Sequence, residues 1–93
     1  MKNEKISIVI PVYNEEKNLE RLFERIVPVM DSLERDYEIV LVDDGSTDRS
    51  LEILLKHADK RIKIVELTKN YGQHAAVFAG FENSEGGILI TMD

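Results

Sequence analysis

Four short apolar runs, each brief and rich in β-branched residues, recur along the chain: ISIVIPV, EIVLVD, IKIVEL and ILITMD. Runs of this kind, bounded by polar or turn residues, read as parallel strands covered on both faces. Helical patterns lie between them. The first starts near Asn14 and carries Leu19, Leu22, Phe23, Ile26, Met30 and Leu33, an apolar stripe at spacings of three and four. Pro28 falls inside it and predicts a kink or a division. The second follows GSTD, where Ser46 or Thr47 is placed to cap it, and it presents Leu51, Leu54, Leu55 and Ala58 on one face. The third follows NYG and is built from Ala75, Ala76, Ala79 and Gly80, small residues that let a helix backbone lie close to a sheet. The order βαβαβαβ implies right-handed crossovers and an α/β fold: a parallel sheet flanked by helices, with strand order 3-2-1-4.

Ninety-three residues make one small domain or a piece of a larger one. No repeat, linker or low-complexity segment divides the chain. Twelve Lys and Arg against 18 Asp and Glu give a net charge of -6, which argues against nucleic acid and against anionic lipid as direct partners. Without cysteine there is neither a disulfide framework nor a Cys-based zinc site. The N-terminus lacks signal-peptide architecture, and no stretch approaches the roughly 20 apolar residues that span a bilayer. The sequence stops at Asp93, directly after a strand, and reads as the first part of a longer domain. Its last strand, GGILITMD, holds no Lys or Pro to deter edge pairing, so self-association or segment exchange through that strand is expected.

Ligands of open α/β sheets bind beyond the carboxyl ends of the strands. This chain places Tyr13, Asn14, Glu15, Asp43, Asp44, Asp48, Lys69, Asn70, Tyr71, His74 and Asp93 on that rim. The collection suits a polar ligand with a planar ring, an anionic part and a metal. Single members have plainer explanations: Pro11 and Asn14 can end a strand and cap a helix, Asp44-Gly45 can be a turn, and His74 can be a surface or cap residue. The adjacent acids Asp43 and Asp44 are harder to explain, because neighbouring carboxylates repel unless a cation, donors or water take up their charge. The Gly72 turn has neither dinucleotide-fingerprint nor P-loop spacing.

ISIVIPVYNEEKNLERL, YEIVLVDDGSTDRS, KNYGQHAAVFAGF and GGILITMD, in that order, resemble the start of the family 2 glycosyltransferases with the GT-A fold. Within that family the NYGQHAA stretch is most similar to the polyprenyl-phosphate sugar transferases. The resemblance implies that residues 1–93 are the N-terminal nucleotide-sugar-binding part, a Rossmann-like half cut off at the D-x-D motif. It implies a site of Pro11, Tyr13, Glu15, Asp43, Asp44, Lys69, Gly72 and Asp93. Pro11 and the Tyr13 ring would line the base pocket, Glu15 would lie near the nucleotide, and Asp44 would accept a hydrogen bond from a base N–H. Asp43 would shape the turn or contact the ribose, and Lys69 would face the base or the diphosphate. Asp93 would be the first D-x-D acid, a partial ligand for Mg²⁺ or Mn²⁺, with the second acid and the catalytic residues beyond it.

The implied reaction moves a sugar from a nucleoside diphosphate, UDP favoured, to a polyprenyl phosphate such as undecaprenyl phosphate, in cell envelope biogenesis. The implied setting is the cytoplasmic side, with a parent anchored by later helices, and the chain alone is expected to be inactive and to hold no tightly bound metal. A saccharide acceptor is the alternative within the family. A receiver-type regulatory domain is the alternative outside it, but that would need an acid pair after the first strand and an Asp after the third. Here those positions read PVYNEE and TKNYG.

Overall fold

A computed structural model of the chain describes residues 4–92. Its elements follow the order β1 (Ile6–Val12), α1 (Leu19–Ser32), β2 (Tyr37–Asp44), α2 (Ser50–His57), β3 (Ile62–Leu67), α3 (Gln73–Glu82) and β4 (Ile88–Thr91). The strands form one parallel sheet in the order β3-β2-β1-β4, as the crossover rule requires. β2 is buried along its whole length. β4 is short and lies at the edge, with Leu89 and Ile90 both exposed.

Alternation along each strand divides the core into two layers. Ile6, Ile8, Ile10 and Val12 of β1 and Tyr37, Ile39 and Leu41 of β2 face α1 and α2, where they meet Leu19, Phe23, Ile26, Met30 and Leu54. Val9, Val40 and Val42 face α3 and pack on Ala76. The α3 layer is thin because Gly80 sits on the sheet itself. A Cβ there would lie 2.3 Å from Val9 Cγ1 and 3.1 Å from Val42 Cγ2. Small residues therefore do what the sequence suggested, with Ala76 and Gly80 buried and Ala75 turned outward.

Expectations for the first two helices need correction. α1 begins at Leu19, not near Asn14, because Asn14 has a left-handed φ of 52° and the backbone N–H groups of residues 14–16 are taken by side chains of the β2–α2 loop. It then runs undivided through Pro28, which lies on its exposed side, and Leu33 falls outside the buried stripe. α2 is capped by neither Ser46 nor Thr47 and starts at Ser50, whose N–H donates to Asp48 Oδ1 at 2.8 Å. Its buried face is Ser50 and Leu54 with Ile53 alongside, while Leu55 and Ala58 are exposed. The rotation follows from the contact with α1, where the His57 ring stacks on Phe23 at 3.9 Å and His57 Nε2 lies 2.7 Å from Glu20 Oε1.

Candidate functional site

Three loops meet where β1, β2 and β3 end, and each is tied to its neighbour. Asn14 Oδ1 accepts from the Thr47 and Asp48 N–H groups at 2.8 and 3.3 Å. In return, Ser46 Oγ, Ser50 Oγ and Asp48 Oδ2 accept from the N–H groups of Asn14, Glu15 and Glu16 at 2.9, 2.8 and 3.2 Å. Asp48 is thereby committed to structure. Burial pushes its carboxyl up, but hydrogen bonds from Ser50 and the Glu16 N–H outweigh this and hold it below the ordinary carboxylate range.

The paired acids part company because successive side chains of a strand point to opposite faces. Asp44 faces the α3 layer and is buried. Its Oδ1 accepts from the Tyr71 N–H at 2.8 Å, and its Oδ2 accepts from the Gly72 N–H and Asn70 Nδ2, both at 3.0 Å. Asp43 turns to the other layer, where Oδ2 accepts a long 3.4 Å bond from the Ser46 N–H. Its Oδ1 is buried with no hydrogen-bond partner among the described residues. Gly45, at φ 70°, brings the β2–α2 loop onto the β3–α3 loop, since a Cβ there would lie 2.3 Å from the Lys69 carbonyl carbon. The three loops thus form one preorganised wall.

That wall borders a cleft of about 460 Å³ lined by Pro11, Val12, Tyr13, Glu15, Asp44, Asn70, Gly72 and Gln73. Among the residues expected at the site, Pro11, Tyr13, Glu15, Asp44 and Gly72 are brought together there. Asp43 is beneath the wall, on the opposite face. Lys69 does not line the cleft, and its Nζ lies 5.2 Å from the centre of the Tyr71 ring, a cation–π distance. Asp93 lies outside the described residues. Val12 and Gln73 were missed, and Asn70 was placed on the rim without being named as a binding residue. Its position two residues before Gly72 and the reach of its amide to Asp44 explain its place. A smaller, more apolar cavity of about 210 Å³ adjoins through Pro11, Val12 and Glu15 and includes Leu19, Leu22 and Met92.

Among the described residues, no three His, Cys, Asp or Glu side chains gather to hold a metal ion. The described donor set therefore does not fit a divalent cation by itself. No helix among these residues is long and apolar enough to cross a membrane.

Residues 7–93 match the model of the glycosyl transferase family 2. Among curated relatives, the undecaprenyl-phosphate 4-deoxy-4-formamido-L-arabinose transferase of Edwardsiella ictaluri is 50% identical over 91 residues, 95% of this chain and 28% of that protein. The transferase of the same name from Pseudomonas paraeruginosa is 53% identical over 91 residues, 95% of this chain and 27% of its own length. Among solved structures, S. aureus TarS 1-349 in complex with UDP superposes with a TM-score of 0.73 at 30% identity, covering 96% of this chain and 27% of that one. The mannosyltransferase PcManGT from Pyrobaculum calidifontis, in complex with GDP-Man and Mn2+, gives 0.69 at 25% identity over the same shares. The chain thus spans little more than a quarter of the relatives it matches, and its parallel sheet has the fold of the matched part of these GT-A structures. It belongs to glycosyl transferase family 2.

Proposed function

We propose that this chain is the donor-binding part of a glycosyltransferase that moves a sugar from a nucleoside diphosphate-sugar, with UDP favoured, to a polyprenyl phosphate carrier. The observation that carries the reading is the cleft at the carboxyl ends of β1 and β2, where an aromatic ring, two carboxylates and the turn before α3 converge. The Tyr13 ring, exposed on the cleft wall, offers a planar surface to a base. Asp44 Oδ1 holds one N–H bond and retains a lone pair for an imide N–H, which a carboxylate accepts strongly. Pro11 and Gly72 expose backbone to the ligand, and Glu15 stands at the cleft mouth. Asp43 supports the turn below, and Lys69 reaches the diphosphate by leaving the Tyr71 ring.

The full-length relatives' transfer chemistry, with a divalent ion (Mg²⁺ or Mn²⁺) on the D-x-D acids that begin at Asp93, belongs to this reading. The described residues do not complete an ion site by themselves. The cytoplasmic side of a membrane, where nucleotide-sugars are made, is the setting proposed. Pairing of two copies through the exposed edge of β4 is proposed for the chain in isolation. The test is titration of UDP and of GDP into the isotope-labelled chain, followed by amide shifts. Shifts at Tyr13, Glu15 and Asn70–Gln73, stronger with UDP, are expected. No shift with either nucleotide at millimolar concentration would overturn the reading.

A further inference from the structure

Glu38 and Asp44 lie on the same face of β2, with the fully buried Val40 and Val42 between them. Asp44 holds the loop that enters α3, and Glu38 holds the loop that leaves it. Glu38 Oε2 accepts from Ser7 Oγ and from the Glu85 N–H, both at 2.6 Å, and Oε1 faces Lys63 Nζ at 3.2 Å. Ser7 Oγ accepts from the Gly86 N–H at 2.8 Å, and Lys63 Nζ donates to the Asn83 carbonyl at 2.8 Å. Gly86 leaves no room for a side chain, since a Cβ would lie 2.4 Å from Ser7 Oγ and 2.7 Å from the Lys5 carbonyl oxygen.

Ser7 and Glu38 are register partners across β1 and β2, and both are buried. An apolar pair would fill this space without the desolvation that a buried carboxylate suffers. What the polar set adds is direction: it fixes the N–H groups of Glu85 and Gly86 just before β4 begins. Among the described residues β4 pairs with β1 alone, and the N–H groups of Ile88 and of Met92 just beyond it reach the Lys5 and Val9 carbonyls. A slip of one residue would exchange its two faces; Ile88 packs against the core, but Leu89 and Ile90 are both exposed, so packing opposes such a slip chiefly through that one residue.

We propose that Ser7, Glu38 and Lys63 form a register latch that sets where β4 starts, and through β4 where the segment after Thr91 meets the rim of the cleft. They are positioning residues at the end of the sheet away from the cleft. The consequence for the rim rests on the donor-site reading; the register itself does not.

The test is amide hydrogen exchange on the whole chain without nucleotide, comparing wild type with Ser7→Ala and Glu38→Gln. The Ile88 and Met92 amides should exchange roughly tenfold faster, as expected when a local hydrogen-bonded unit loosens. The Ile39 amide, which bonds to the Arg61 carbonyl at 2.7 Å in the β2–β3 ladder, should keep its protection. Unchanged exchange at Ile88 and Met92 would overturn the latch. Equal acceleration at Ile39 would overturn it too, because the residues would then add only global stability. Ser7→Ala removes a single hydroxyl and carries the comparison if Glu38→Gln does not fold. A chain that fails to bind UDP would leave this outcome unaffected.

Discussion

At one end of β2, Glu38 is closed in by an ion pair with Lys63, a hydroxyl and a backbone N–H. At the other end, the Asp44 carboxylate is held by neutral donors: two backbone N–H groups and the Asn70 amide. The two carboxylates are almost equally buried, at 2% and 3% exposure, so burial does not separate them. Their partners do. Lys63 cancels the charge of Glu38 where the sheet is sealed, whereas the dipoles around Asp44 hold its carboxylate without cancelling it. A strand can thus use the same chemical group twice, once as a charge-paired fastening and once as a fastening held by neutral donors beside a cleft.

The largest effect should come from the glycine that makes the open end possible. Gly45→Ala places a methyl group against the Lys69–Asn70 backbone at a left-handed φ, and should destabilise the fold by about 3 kcal/mol or more. Urea unfolding measures this, and a loss under about 1 kcal/mol would mean that the loops can separate cheaply.

Asp44→Asn comes next. It replaces an acceptor with a donor facing the Gly72 N–H or Tyr71 N–H, and should weaken nucleotide binding by about 1–3 kcal/mol in calorimetry. Equal affinity in the two forms would reduce Asp44 to a loop fastener and make the two ends of β2 alike.

Glu38→Gln at neutral pH should cost about 1.5–2 kcal/mol of stability, the scale of charge-assisted hydrogen bonds. Burial pushes the Glu38 carboxyl up, but the Glu85 N–H, Ser7 and Lys63 outweigh it and bring it below its ordinary 4.5. A depressed carboxylate contributes stability that is fully present above the unfolded value and lost as pH falls through the folded one. Wild type should therefore lose stability progressively below about pH 4.5 more steeply than Glu38→Gln. Parallel pH profiles in urea melts would contradict the ionised latch.

The smallest effect tests the cleft ring. Tyr13→Ala should cost about 1 kcal/mol of nucleotide affinity while Tyr13→Phe stays near neutral, because stacking needs the ring and not the hydroxyl. Equal losses in the two variants would point to the hydroxyl.

The sheet order was legible because β-branched runs and right-handed crossovers are local and general rules. The start of α1 was not. Its stripe is continuous with the polar stretch before it, and only long-range capture of the residue 14–16 N–H groups by Ser46, Ser50 and Asp48 keeps that stretch from coiling. The face of α2 was also misjudged, since a leucine count favours Leu55, while packing against α1 favours the side that carries His57. At the cleft, Tyr13, Glu15 and Asp44 were readable from strand ends, whereas Pro11 and Gly72 came only with the family resemblance. The division of labour between Asp43 and Asp44 was latent in strand alternation. The roles of Asn70 and Gln73 depend on how the β3–α3 loop folds back, which no residue pattern in that loop announces.

The position of β4 also carries a consequence for how the sheet assembles. The β1–β2 ladder joins Ile6 to Tyr37, whereas the β1–β4 ladder joins Ile6 to Ile88, across nearly the whole chain. Closing that longer loop carries the greater entropic penalty, and four strand residues return little for it. β4 should therefore be the last strand to join, and native-state amide exchange should reach Ile88 before Ile39. The pairing of β4 is accordingly the contact of the described sheet that depends most on the rest being already in place.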